Sequence, residues 1–186
     1  EVFWSMILNS NYITKNYLKE NHYKTTHIND FKDFISLILY KYKKKYYLSK
    51  NNNNILRIKK LADDLPDSYF IIPFRNPIDQ SFSLLNQHNK YKKLQTKDIF
   101  VLDYMNYINH FEFGLNHKRF LFNEDYENNF KPENINYWIK NWIDTYYYLF
   151  KQTRYKKNVY FICYEELNEN INPILKYFSE ELHIDL

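Results

Sequence analysis

Arg75, followed by Ser81 and Ser83, is the set of residues in this chain best suited to hold an anion. A guanidinium offers two parallel donors to a phosphate, and a serine hydroxyl adds another. The residues before the arginine, Tyr69, Phe70, Ile71 and Ile72, read as a strand covered on both faces. Asn76 then reads as a helix cap and Pro77 as the first helical residue. Such a junction sets Arg75 at the carboxyl end of a strand, where open α/β sheets bind their ligands. A salt bridge to a neighbour is the ordinary alternative. Asp79 falls in the first helical turn, where its charge suits the dipole, and is read as structural.

Three further constellations carry chemistry. Lys50, in the tract Lys50-Asn-Asn-Asn-Asn54, follows the short apolar run Tyr46-Tyr47-Leu48, which reads as a strand. Its ammonium could stabilise charge developing on a transferred group, or the tract could be a polar loop in which Asn54 caps the next helix. His110 in His110-Phe-Glu112-Phe-Gly114 is a candidate general base, although packing is the commoner role of a lone histidine. His110 and Glu112 are two apart and share no helical face, so they make a poor metal pair. Tyr164-Glu165-Glu166 closes another apolar run, at a second strand end where a ligand or a helix cap would use it. Zinc-ligand spacing and a nucleophile elbow are both missing, which leaves metalloenzyme and serine-hydrolase readings without support.

The elements that must position these groups follow from apolar spacing. Glu1 to about Leu18 reads as helical. Asp30 is placed as the cap of a helix burying Phe31, Phe34, Ile35, Ile38 and Leu39, and Ile55 to Asp64 forms the next helix. After the junction at Arg75, Ile78, Phe82, Leu84 and Leu85 give the helix an apolar face. Asp98 caps a helix running past Tyr104 and Ile108 to Gly114 as its C′ residue, and Phe120 to Asn129 reads as loop. Ile135, Trp138, Ile139, Trp142, Ile143, Tyr146, Leu149 and Phe150 mark a long amphipathic helix. Val159 to Tyr164 is a strand, and Ile171, Ile174, Leu175 and Phe178 face a closing helix. Short apolar runs separated by helices of this length predict an α/β domain with a parallel sheet.

The 186 residues suit one domain, 1–186, with 45% hydrophobic and 26% charged residues. No apolar run approaches the roughly 18 residues of a membrane span. The lone cysteine, Cys163, precludes an internal disulfide and fits a cytoplasmic location. The net charge of +4 is mild, and the cluster Lys41-Tyr-Lys-Lys-Lys45 reads as a solvated helix end able to attract an anion. One glycine, one alanine and 20 tyrosines, with abundant Asn, Lys and Ile, follow A/T-rich codon usage. The tyrosines are therefore not read as stacking platforms, and no nucleic acid is expected as partner. A single glycine also leaves no Gly-rich phosphate loop in these residues.

Arg75-Asn-Pro-Ile-Asp-Gln-Ser-Phe-Ser83 resembles the 3′-phosphate-binding segment of sulfotransferases, in which a strand-ending arginine is followed eight residues later by a helix serine. Tyr47-Leu-Ser-Lys50 through Arg57, Gln87-His88, Asn109 to Gly114 and Val159 to Glu165 are similar to pieces of a microbial-type sulfotransferase domain, over roughly Tyr46 to Phe178. The resemblance implies a three-layer P-loop-like α/β fold around a central parallel sheet. It implies transfer of a sulfuryl group from 3′-phosphoadenosine-5′-phosphosulfate (PAPS) to a hydroxyl or amine of a small-molecule or carbohydrate acceptor. Arg75 and Ser83 would hold the 3′-phosphate and Tyr164 would lie near the adenine. Lys50 would stand near the sulfuryl group, with His110 the weaker choice as base. The family's N-terminal strand and phosphosulfate loop, and its later Arg-Lys-Gly segment, have no counterpart here, as expected of a piece of a longer protein with impaired activity. A non-catalytic binding or scaffold domain is the competing expectation.

Overall fold

The computed structural model describes residues 1–122 and 129–182. In chain order the elements are α1 (Val2–Ile7), β1 (Tyr17–Lys19), α2 (Thr25–Tyr42), a 3₁₀ turn (Asn52–Arg57), α3 (Ile58–Asp64), β2 (Phe70–Phe74) and α4 (Pro77–Lys97). Then come α5 (Ile99–Tyr107), β3 (Arg119–Leu121), α6 (Ile135–Thr153), β4 (Val159–Cys163), α7 (Tyr164–Glu169) and α8 (Asn172–Leu182). Both strand pairs among the described residues are parallel: β1 with β3, and β2 with β4 in the register Phe70↔Val159 to Phe74↔Cys163. The chain is thus mixed α/β, with helices supplying most of its regular structure.

Local chemistry accounts for the helix starts. Asn76 Oδ1 accepts from the amides of Ile78 and Asp79, Asp98 caps Phe100, and Asn134 caps Asn136. The main core gathers Trp4, Tyr12, Leu18, Tyr23, Leu56 and Leu61 between α1, β1 and α3. A second cluster seats Phe70 and Ile72 of β2 and Phe161 of β4 against Tyr148 and Leu149 of α6. Ile162 of β4 packs beneath Phe178 of α8 on the opposite face. Among the described residues no helix is long and apolar enough to cross a membrane.

Several expectations need correction. β2 is covered on one face only: Phe70, Ile72 and Phe74 are half-buried, whereas Ile71 and Pro73 are exposed. Helix α8 packs on β4 through Phe178 and Ile162, and Pro73, which cannot donate to a ladder, suits a strand with one described partner. Tyr46-Tyr47-Leu48 forms no strand, because nothing among the described residues pairs with it; β1 forms instead largely within the stretch expected to be helical. Helix α2 begins at Thr25, with Asp30 inside it, and a 3₁₀ turn opens the helix expected from Ile55. Strand β3 occupies the start of the predicted loop Phe120 to Asn129, whose residues 123–128 lie outside the described ones.

Two helices also present unexpected faces. On α4, Ser81, His88 and Gln95 point inward, while Ile78 and Phe82 are exposed. Small and polar residues let α4 approach the aromatic side of α6, where Trp138 meets His88 and the Trp142 indole donates to Gln80 Oε1 at 3.0 Å. On α6, Ile143 and Phe150 are exposed and Tyr148 and Asp144 are buried. Helix α6 packs against β3 and α3 as well as α4, so contact extends beyond the single apolar stripe.

Candidate functional site

Helix α5 ends at Tyr107 rather than running on to Gly114. Asn109, at φ 57°, is the left-handed C′ residue, and its amide and that of His110 return to the carbonyls of Asn106 and Met105 at 3.0 and 2.8 Å. Asparagine tolerates this conformation, so the helix closes early and releases His110 to Lys118 as a loop. Gly114 turns the loop at φ 89°. Its amide donates to His88 Nδ1 at 3.3 Å, and that of Leu115 donates to Gln95 Oε1 at 2.6 Å. His117 fixes the far end, with Nδ1 3.2 Å from the Phe111 carbonyl and Nε2 2.7 Å from the Tyr137 hydroxyl. Burial, reinforced by His88, pushes the His117 imidazole down to about 4, and burial lowers His88 as well.

Within this loop His110 Nδ1 lies 3.3 Å from Glu112 Oε2, and Asn52 Nδ2 donates to Glu112 Oε1 at 3.2 Å. The tract that follows Lys50 therefore meets the His110 loop through Asn52 and Glu112. On a helix, residues two apart share no face, which is why the spacing predicts a poor metal pair; in this loop the His110 and Glu112 side chains turn toward each other. Asn52 was not singled out from sequence, and only its place in the Asn tract pointed to it. Lys50 itself is exposed in irregular chain, not at a strand end.

The second constellation stands at the carboxyl ends of β2 and β4. The register that pairs Phe74 with Cys163 makes Arg75 and Tyr164 the next residues on adjacent strands. The Arg75 guanidinium carbon lies 5.3 Å from the centre of the Tyr164 ring. Glu165 joins the two strand ends, with Oε1 accepting the Asn76 amide at 2.9 Å and Oε2 the Cys163 thiol at 3.2 Å. The Asn76 amide, ahead of that thiol and Arg75, holds the Glu165 carboxyl below the usual carboxylate range. Glu165 thus serves a capping role, made across the two strand ends. Ser83 is exposed on α4, whereas Ser81 is wholly buried and its hydroxyl has no hydrogen-bond partner among the described residues, so of the two serines only Ser83 is open to a ligand.

The structure thus joins Arg75 with Tyr164, and the Lys50 tract with His110, but no described hydrogen bond or ion pair links the two groups. Compared with models of known families, with curated proteins and with solved structures, the chain matches none.

Proposed function

We propose that this chain is a PAPS-dependent sulfotransferase domain, its strand pairs forming part of a three-layer P-loop-like sheet. The observation that carries the reading is the meeting of Arg75 and Tyr164 at adjacent carboxyl strand ends. A half-buried guanidinium without an ion-pair partner among the described residues, beside a Tyr164 ring that is 40% exposed, fits a phosphorylated ribose carrying a base. Arg75 and Ser83 bind the 3′-phosphate in this reading, and Tyr164 packs against the adenine. When bound, PAPS supplies an activated sulfuryl group. His110, with Nδ1 turned to Glu112, keeps Nε2 to take the proton of a hydroxyl or amine on a small-molecule or carbohydrate acceptor, and Lys50 offers positive charge nearby. Cys163, which is in no disulfide, suits work in the cytoplasm.

The separation of the two constellations favours a second reading, in which the domain binds the nucleotide without turning it over. Calorimetric titration with 3′,5′-adenosine diphosphate tests what both readings share. Binding is expected for the unaltered chain and for Ser81→Ala, and its loss for Arg75→Ala. Equal heats for all three proteins would sink the assignment of Arg75. Transfer of labelled sulfate from PAPS to a panel of phenols, amines and glycans then separates the readings, since only the enzyme yields product.

A further inference from the structure

Apart from Lys50, neither constellation uses the most strongly charged segment of the chain. Between Asp33 and Asp63 there is no acidic residue, and Tyr40 to Lys50 contains five lysines: Lys41, Lys43, Lys44, Lys45 and Lys50. The whole chain carries +4, so this segment exceeds the total charge and the remaining residues sum to −1. Lys41, Lys43 and Lys44 have no ion pair among the described residues.

Lysines at the end of α2 would favour the helix dipole in any protein. The apolar residues among them have no such explanation. Helix α2 is anchored by its first half, where Ile28 is buried and Phe31 packs on Trp4. Beyond this, Leu37 is 68% exposed, Tyr40 85% and Leu48 94%. Leu37, Tyr40 and Lys41 recur at helical spacing along one side, and Lys43, at φ 51°, turns the chain so that Lys44, Tyr46 and Leu48 follow in exposed irregular backbone. Aliphatic tips, tyrosines and lysines of one sign together are what a charged lipid interface selects: apolar tips enter the acyl boundary, rings sit at headgroup level, and ammonium groups meet anionic headgroups.

We infer that the end of α2 and the segment to Leu48 dock this protein peripherally on an anionic lipid surface. Nucleic acid would satisfy the lysines and tyrosines, but it leaves Leu37 and Leu48 in water. Those two residues decide for lipid.

Cosedimentation of the full chain with phosphatidylcholine vesicles, with and without phosphatidylserine, tests this, with fluorescence anisotropy of a labelled RNA in parallel. The unaltered protein is expected to pellet only with the anionic vesicles and to release in high salt. Reversing charge in Lys41→Glu/Lys43→Glu/Lys44→Glu is expected to weaken partition by at least about tenfold. Leu37→Ser/Leu48→Ser is expected to weaken it severalfold with the salt dependence kept. All five positions are solvent-exposed, so circular dichroism should show every variant folded. The inference is overturned by failure to pellet with anionic vesicles, by unchanged partition of either variant, or by tighter binding to RNA than to vesicles.

Discussion

Acidification should loosen this fold well before its carboxylates protonate, through His117. In the neutral ring Nδ1–H donates to the Phe111 carbonyl, and Nε2 accepts from the Tyr137 hydroxyl. Protonation puts a hydrogen on Nε2 as well, facing a hydroxyl that must then reverse its own role, inside a site walled by Trp138 and His88. Burial lowers the folded-state value from an ordinary 6.5 to about 4. The unfolded chain therefore binds the extra proton first, and stability falls as pH drops below the unfolded value until the folded ring also protonates. A shift of this size corresponds to about 3 kcal/mol lost over the full window, of which about 2 kcal/mol is gone by about pH 5. His88 is lowered in the same direction and adds to the loss. Urea unfolding between neutral pH and about pH 5 measures the effect, with His117→Gln as the variant lacking the titration. The unaltered protein is expected to lose the larger share. A His117 ring titrating near 6.5 by NMR, or parallel losses in the two proteins, would refute the reasoning.

Two further substitutions probe how the site loop and the core are held. Gly114→Ala would place a methyl 2.1 Å from Gln95 Oε1 at a φ of 89°, while that oxygen is engaged by the Leu115 amide. A loss of about 2 kcal/mol or more is expected in urea unfolding, together with faster hydrogen exchange of the amides from His110 to Lys118. Arg57 is wholly buried, donates to Glu1 Oε1 at 2.6 Å and lies 4.8 Å from the Trp4 ring centre. Arg57→Leu leaves the Glu1 carboxylate buried without its cation, at a cost of about 3 kcal/mol by the same assay. A change under about 1 kcal/mol would mean that Tyr12 and Asn51, which also donate to Glu1, suffice.

The junction at Arg75 was legible because its causes are local. Asn76 caps the next amides, Pro77 presets φ, and the apolar run before them pairs as a strand. The Tyr164 strand end was legible for the same reason. Strands β1 and β3 were not, because three residues carry no readable period and each exists through pairing with the other, about a hundred positions away. Nor was the inward face of α4: Ser81, His88 and Gln95 look like solvent-facing residues until the aromatic side of α6 is set against them.

The sequence by itself determined which residue types stand at strand ends and helix starts, since capping, ring closure and side-chain alternation act over a few positions. Tertiary structure alone decided that Arg75 lies over Tyr164 and that Asn52 reaches Glu112. Those contacts depend on register and on where a loop is released from a helix. Both are set by the balance of packing over the whole chain, which no local pattern records.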